Sequence, residues 1–319
     1  MSAMRIIDAE HTRRLLPFDR LIPALREMFR QGDCTVPLRH VHAIGQGDAQ
    51  AGTMLLMPAW QDGRRLGVKT VTIFPGNGAR GLPGLHSTYT LFDAVTGVPL
   101  AVIDGNEITS RRTAAASALA AERLSRPDSR RLLVLGAGRV ASVLADAYAA
   151  VRPIREVRVW SVNHGRAAAL ARRLAGAGYV AEAVEDLQAG VQWADIISCA
   201  TLSRQPLVRG QWLRPGAHLD LIGSFTPAMR ESDDDCLRRA TVFVDTEEAL
   251  QKSGDLLEPI KSGAFARERT AATLAQLCRG EHGGRNEADE ITLFKSVGTA
   301  LEDLAAASLV YDGLPAQGD

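Results

Sequence analysis

Two sets of residues carry the chemistry legible in this chain. The first is the run Gly136, Ala137, Gly138, Arg139, Val140, Ala141, which follows the apolar stretch from Arg131 to Leu135. Glycines at this spacing allow a tight turn and a close approach of backbone to a pyrophosphate, and a small sixth residue lets helix and strand pack closely. The helix opening there turns its N–H groups and positive partial charge towards the phosphates. By itself the motif also fits a plain strand-to-helix turn. The succession of strand, motif, helix and second strand favours a dinucleotide. At the end of that second strand an acid would hold the ribose diol of NAD(H) and repel a 2′-phosphate. The run from Trp160 to Arg166 contains no acid, and it offers Ser161, Asn163, His164 and Arg166 to a phosphate. NADP(H) is therefore favoured over NAD(H); the bland alternative for Arg166 is a cap on the solvent face of its own helix. Ala200 and Thr201 end one later strand and Gly223 and Ser224 end the next. Ligands of a doubly wound sheet lie outside the carboxyl ends of its strands, so these four residues are expected to border the coenzyme. Ordinary strand-to-loop packing is the other reading of such small residues.

The second set is cationic: Arg39 in a β-like run, Lys69 inside the apolar run Leu66 to Val71, and Arg112 at the start of an Ala-rich helix. Burying a lysine in such a run costs several kcal/mol unless an anion compensates. Spacing alone leaves two outcomes for Lys69, a solvated sheet face, which is the usual one, or the wall of an anion-binding site.

The elements that must position these residues fall into two stretches of the 319-residue chain, a length that suggests two domains or one large α/β unit. A helical stripe of Phe18, Leu21, Ile22, Leu25, Met28 and Phe29 is followed by short strands over 36–44, 52–57, 67–74, 86–93 and 99–104, which predict a mainly antiparallel sheet. From Thr113 onward strands alternate with helices, which implies a parallel sheet with right-handed crossovers. A last helix is predicted over 290–311, packing back on the first domain, and the residues from Pro315 onward read as a frayed tail. The 37 basic and 37 acidic residues balance, so there is no general field for nucleic acid or an anionic membrane. No apolar run approaches bilayer length, and residues 1–14 lack an apolar signal core, which reads as cytoplasmic. Four scattered cysteines and seven histidines without ligand spacing point to neither a disulfide framework nor a metal.

The chain resembles the ornithine cyclodeaminase/mu-crystallin family over nearly all its length. The stretches that carry the resemblance are 56–58 (Leu-Met-Pro), 67–69 (Gly-Val-Lys), 74–77 (Phe-Pro-Gly-Asn), 81–83 (Gly-Leu-Pro), 104–105 (Asp-Gly), 112–115 (Arg-Thr-Ala-Ala) and 291–298 (Ile-Thr-Leu-Phe-Lys-Ser-Val-Gly). The resemblance implies a homodimer whose residues 1–112, completed by the C-terminal helix within 289–319, form an α+β substrate-binding and dimerisation domain. It implies a Rossmann domain over 113–288. It also implies that Arg39, Lys69 and Arg112 meet a substrate carboxylate; for reduction of an imine, Lys69, the catalytic candidate, or an ordered water would supply the proton. Family activities include ornithine cyclodeamination, alanine dehydrogenation, reduction of cyclic imino acids, and the ketimine reduction and hormone binding of mu-crystallins. This chain has Leu55 where cyclodeaminases carry a glutamate and Phe225 where they carry an aspartate. Handling a distal amine and a departing ammonia calls for such acids. An NAD(P)H-dependent reductase of an imino acid such as pyrroline-2-carboxylate or piperideine-2-carboxylate is therefore expected, ahead of a cyclodeaminase, an amino-acid dehydrogenase or a small-molecule-binding protein.

Overall fold

The computed structural model describes residues 4–45 and 51–315, so the expected frayed tail lies outside the described residues except for Pro315. The chain divides into two compact units, Met1–Arg112 with Thr299–Asp319, and Thr113–Gly298. No helix among the described residues is long and apolar enough to cross a membrane.

The first unit opens with β1 (Arg5–Ile7), α1 (Ala9–Leu15) and α2 (Phe18–Gln31). The stripe of Phe18, Leu21, Ile22, Leu25, Met28 and Phe29 is the buried face of α2. Then come β2 (Cys34–Thr35), β3 (His40–Ile44), β4 (Gly52–Gln61), β5 (Arg65–Ile73), β6 (Leu85–Asp93) and β7 (Pro99–Asp104). They form one sheet in the order β1-β7-β6-β5-β4-β2, with β3 also on β4. All pairs are antiparallel except β1 with β7. Along β5, Gly67, Lys69 and Val71 are buried while Val68, Thr70 and Thr72 are half-buried. The period of two therefore puts Lys69 on the core face, between Met57 of β4 and Tyr89 of β6 in register. Two expectations change here. The expected strand over 36–44 begins only at His40, so Arg39 precedes β3 and is not on it. The helix expected from Thr113 begins at Gly105, as α3 (Gly105–Leu124), and Arg112 lies well inside it.

The second unit continues through β8 (Arg131–Leu135), α4 (Ala141–Ala149), β9 (Glu156–Trp160), α5 (His164–Gly176), β10 (Val180–Ala183), α6 (Leu187–Trp193), β11 (Ile196–Cys199) and β12 (His218–Leu221). It closes with α7 (Asp234–Arg239), β13 (Thr241–Val244), α8 (Ala249–Lys252), α9 (Gly254–Lys261), β14 (Thr270–Thr273), α10 (Leu274–Arg279) and β15 (Thr292–Lys295). The sheet is parallel throughout, in the order β10-β9-β8-β11-β12-β15-β13-β14. Leaving β8, the chain runs outward through β9 and β10, then returns to the other side of β8 with β11. This is the doubly wound Rossmann arrangement, with its switch point between β8 and β11. Leu132, Leu133, Val134 and Leu135 are all fully buried, as a strand covered on both faces requires.

The chain's last helix, α11 (Ala300–Asp312), belongs to the first unit and packs on α2, β4, β5 and β6. The single helix predicted over 290–311 is thus a strand followed by a shorter helix. Strand β15 lies between β12 and β13 with every residue buried. The apolar residues around it, Ile291, Leu293, Phe294 and Val297, are spaced so that they match a helical stripe as easily as a short strand. Backbone pairing on both sides decides for the strand. The N–H groups of Val297 and Gly298, each 2.7 Å from Asp245 Oδ2, then turn the chain before α11.

One substitution tests the close packing of the first sheet. A Cβ on Gly67 would stand 2.0 Å from the Oη of fully buried Tyr89. Gly67→Ala is expected to destabilise the protein by about 2 kcal/mol through overpacking, read as a lower urea midpoint. An unchanged midpoint would mean that the Tyr89 ring moves aside without cost.

Candidate functional site

In the first unit the alternation of β5 aims Lys69 into the core, where an ammonium group needs an anion. Helix α11 supplies it. Lys69 Nζ donates to Asp303 Oδ1 at 2.8 Å and lies 2.7 Å from Oδ2. Lys69 is 2% exposed and Asp303 is 0% exposed. Arg112, on α3, donates through Nε to Asp303 Oδ1 at 3.0 Å and through Nη1 to Glu302 Oε2 at 2.6 Å. The expectation from spacing alone, a solvated Lys69, is overturned, because the compensating acids come from a helix more than two hundred residues later.

Burial pushes the Lys69 ammonium down to about 8; Asp303 opposes this, while the charges of Arg112 and Arg39 add to it. Arg39 has the least of these influences and is only half-buried. Burial alone would raise the Asp303 carboxyl, but the charges of Lys69 and Arg112 hold it below its ordinary value, so it stays ionised. Tyr89, beside Lys69 in the sheet, is held neutral by burial and by the Asp303 charge. The structure thus brings Lys69 and Arg112 together against Asp303. Lys69 and Arg112 so held form a preformed pair of cationic N–H donors, the kind of group that pairs with an organic carboxylate.

Glu302 and Asp303 were not among the residues singled out from the sequence. The signal was available: two consecutive acids in the first turn of an otherwise apolar helix. Acids there ordinarily sit in solvent and complement the helix dipole, whereas these two are fully buried.

In the second unit the glycine turn has the shape a dinucleotide needs. Gly136 adopts a φ of 107°, and a Cβ on it would lie 2.5 Å from the Ala200 carbonyl oxygen, so only glycine fits. A Cβ on Gly138 would meet nothing within 4 Å, which leaves the backbone open to a ligand. Gly138 and Arg139 are exposed, Ala137 and Val140 are half-buried, and Ala141 is buried as α4 begins. These residues fit a pyrophosphate at a helix N-terminus. At the end of β9, Ser161 Oγ accepts from Asn163 N at 3.3 Å, and Asn163 caps α5 by accepting from Arg166 N at 3.0 Å. Arg166 is exposed. Ala200 and Thr201 follow β11, and Gly223 and Ser224 follow β12. Thr201 and Gly223 share one partner that sequence reading missed, the buried Glu231.

Comparison with known proteins agrees with both units. The model of the ornithine cyclodeaminase/mu-crystallin family matches residues 5–318. The chain is 44% identical over 286 residues to a Delta(1)-pyrroline-2-carboxylate reductase of Paracoccus denitrificans, covering 89% of this chain and 90% of that one. It is 36% identical over 282 residues to the ketimine reductase mu-crystallin of Mus musculus, covering 88% and 86%. Among solved structures, the Delta(1)-pyrroline-2-carboxylate reductase of Thermococcus litoralis, in complex with NADH and L-proline, superposes with a TM-score of 0.92 at 34% identity over 97% of each chain.

The buried charge group makes a direct prediction. Asp303→Asn leaves two buried cations short of one anion and is expected to cost about 3 kcal/mol in urea unfolding. Adding Lys69→Met should return part of that loss, because the two residues are coupled. Strict additivity of the two changes would show that the pair does not interact.

Proposed function

The chain belongs to the ornithine cyclodeaminase/mu-crystallin family, and we propose that it is an NAD(P)H-dependent reductase converting a cyclic imino acid to the amino acid. The observation that carries this reading is the buried group in which Lys69 and Arg112 converge on Asp303, with Glu302 also bound to Arg112, a preformed set of cationic N–H donors suited to a carboxylate. The named relatives support a ring bearing its carboxylate next to the C=N bond, as in pyrroline-2-carboxylate or its six-membered homologue piperideine-2-carboxylate.

In this reading Arg39 and Arg112 hold the substrate carboxylate. Arginine presents a planar fork that pairs with both carboxylate oxygens, and Asp303 and Glu302 fix the orientation of the Arg112 fork. Lys69 adds a point charge and three N–H donors. Bound reduced nicotinamide supplies the hydride. The imine nitrogen must gain one proton as the hydride is added to carbon, and Lys69, with its ammonium held at about 8, is the candidate donor. Near neutrality it carries the proton and can give it up more readily than an ordinary lysine. Loss of acid side chains at Leu55 and Phe225 leaves no group at those positions to deprotonate a distal amine, which favours imine reduction over ornithine cyclisation.

NADP(H) is proposed over NAD(H), because residues 161–166 contain no acid and the exposed Arg139 and Arg166 offer charge to a 2′-phosphate. A homodimer is supported by β3, which pairs with β4 and carries exposed Val41, and by exposed Leu38 just before it; a second copy is a suitable cover for such an edge. The four cysteines are free thiols, which suits the reducing cytoplasm.

The reading is tested by following NADPH and NADH oxidation with both cyclic imino acids, alongside ammonia release from ornithine. Stoichiometric NADPH oxidation with an imino acid is expected, and its absence with both rings would contradict the reading. Turnover should fall as pH rises through about 8, since deprotonating Lys69 removes both a charge and the proton. Lys69→Met should lower kcat/KM at least about 100-fold while leaving NADPH affinity unchanged. Undiminished kcat/KM in that variant would remove Lys69 from the chemistry.

A further inference from the structure

The carboxylate of Glu231 has no part in the chemistry above, yet it ties together two loop ends of the parallel sheet. Glu231 is fully buried. Its Oε1 accepts from the backbone N and the Oγ1 of Thr201, each at 2.7 Å, and its Oε2 accepts from Gly223 N at 2.6 Å. Thr201 follows β11 and Gly223 follows β12, so one side chain bridges the carboxyl ends of neighbouring strands. The fit is close: a Cβ on Gly223 would stand 2.0 Å from the Thr201 carbonyl oxygen and 2.4 Å from Glu231 Oε1.

Glu231 is itself held from behind. Its N–H and that of Ser232 donate to Asp255 Oδ1 at 2.8 and 2.9 Å, and its carbonyl accepts from Leu207 N and Val208 N, both at 2.9 Å. The fully buried Lys295 ammonium lies 3.6 Å from Asp255 Oδ2. This clamp lies in one half of the fold. The glycine turn after β8 and the end of β9 belong to the first mononucleotide half, whereas β11 and β12 begin the second, beyond the switch point.

We propose that Glu231 is a positioning residue for the nicotinamide half of the coenzyme, holding the ends of β11 and β12 in their binding arrangement before the coenzyme arrives. The proposal rests on the reading that this unit binds a nicotinamide dinucleotide. Loops already ordered spare the binding step the cost of ordering them. Both oxygens accept from backbone N–H groups, which calls for the ionised carboxylate, although burial, opposed by Lys295 and aided by the Asp255 charge, pushes Glu231 up to about 8. An amide cannot serve in its place, because whichever way it turns its NH2 faces a donor.

The test compares the wild-type protein with Glu231→Gln by calorimetry, using NADPH and NADH as probes of both halves and ADP as a probe of the first half alone. The variant should bind dinucleotide at least about 10-fold more weakly and bind ADP within about two-fold of wild type. In assays KM for the coenzyme should rise more than kcat falls. Unchanged dinucleotide affinity would overturn the proposal, and so would an equal loss of dinucleotide and ADP, which would assign Glu231 to the fold alone. Amide hydrogen exchange on the wild-type protein provides an arm that needs no variant. The Thr201 and Gly223 amides should be protected before any coenzyme is added; protection appearing only with coenzyme would also overturn it. A wild-type protein that binds neither dinucleotide would refute the dinucleotide reading, while the exchange result still reports on the clamp.

Discussion

An ammonium group on the core face of a β-sheet sets the terms for the first unit. Lys69 takes that position because β5 alternates, and Gly67 and Val71 on either side of it are buried as well. An unpaired charge there would cost several kcal/mol, a large share of the stability of a typical folded domain. Helix α11 meets this need by bringing Asp303 to 2.7 Å from Nζ. That requirement explains why the last helix completes the unit begun by the first hundred residues. The same contact supports the proposed chemistry. Asp303 holds Lys69 and Arg112 in fixed positions, and burial keeps the lysine proton loosely bound. The two cations held in this way present N–H donors of the kind that suit a carboxylate.

The second unit uses buried carboxylates in another way. Asp245 receives the N–H groups of Val297 and Gly298, Asp255 those of Glu231 and Ser232, and Glu231 those of Thr201 and Gly223. Each fixes loop backbone near the carboxyl ends of parallel strands, where a doubly wound sheet binds its ligand. Hydride transfer depends on distance and angle more than on any reactive side chain, so a rigid frame around the coenzyme is a large part of what this chain can contribute.

Much of this was legible beforehand. The stripe of α2, the strands from β4 to β7, the change to alternating strands and helices after Thr113, and the glycine turn each follow from local periodicity and turn chemistry. So does the doubly wound class of the second unit. What escaped shares one cause: it depends on partners distant in the chain. Strand β15 passed for part of a helix because Ile291, Leu293, Phe294 and Val297 fit the apolar stripe of the helix that follows, and only β12 and β13 on either side make it a strand. Lys69 passed for a solvated side chain because Asp303 lies 234 residues away. Glu302 and Asp303 looked like ordinary acids of a first helical turn. Glu231 gave no signal, since its three donors come from two separate loops.

The account turns on a grip on the substrate's carboxylate, and the most direct measurement removes that group from the substrate and leaves the protein intact. Steady-state reduction of pyrroline-2-carboxylate should be compared with that of 1-pyrroline, the same ring without its carboxylate, at one pH and one coenzyme concentration. A buried, desolvated charge pairing is worth several kcal/mol, so kcat/KM for the bare ring should be at least about 1,000-fold lower. Equal kcat/KM for the two rings would contradict the account, because the buried cations would then serve only to hold the fold together.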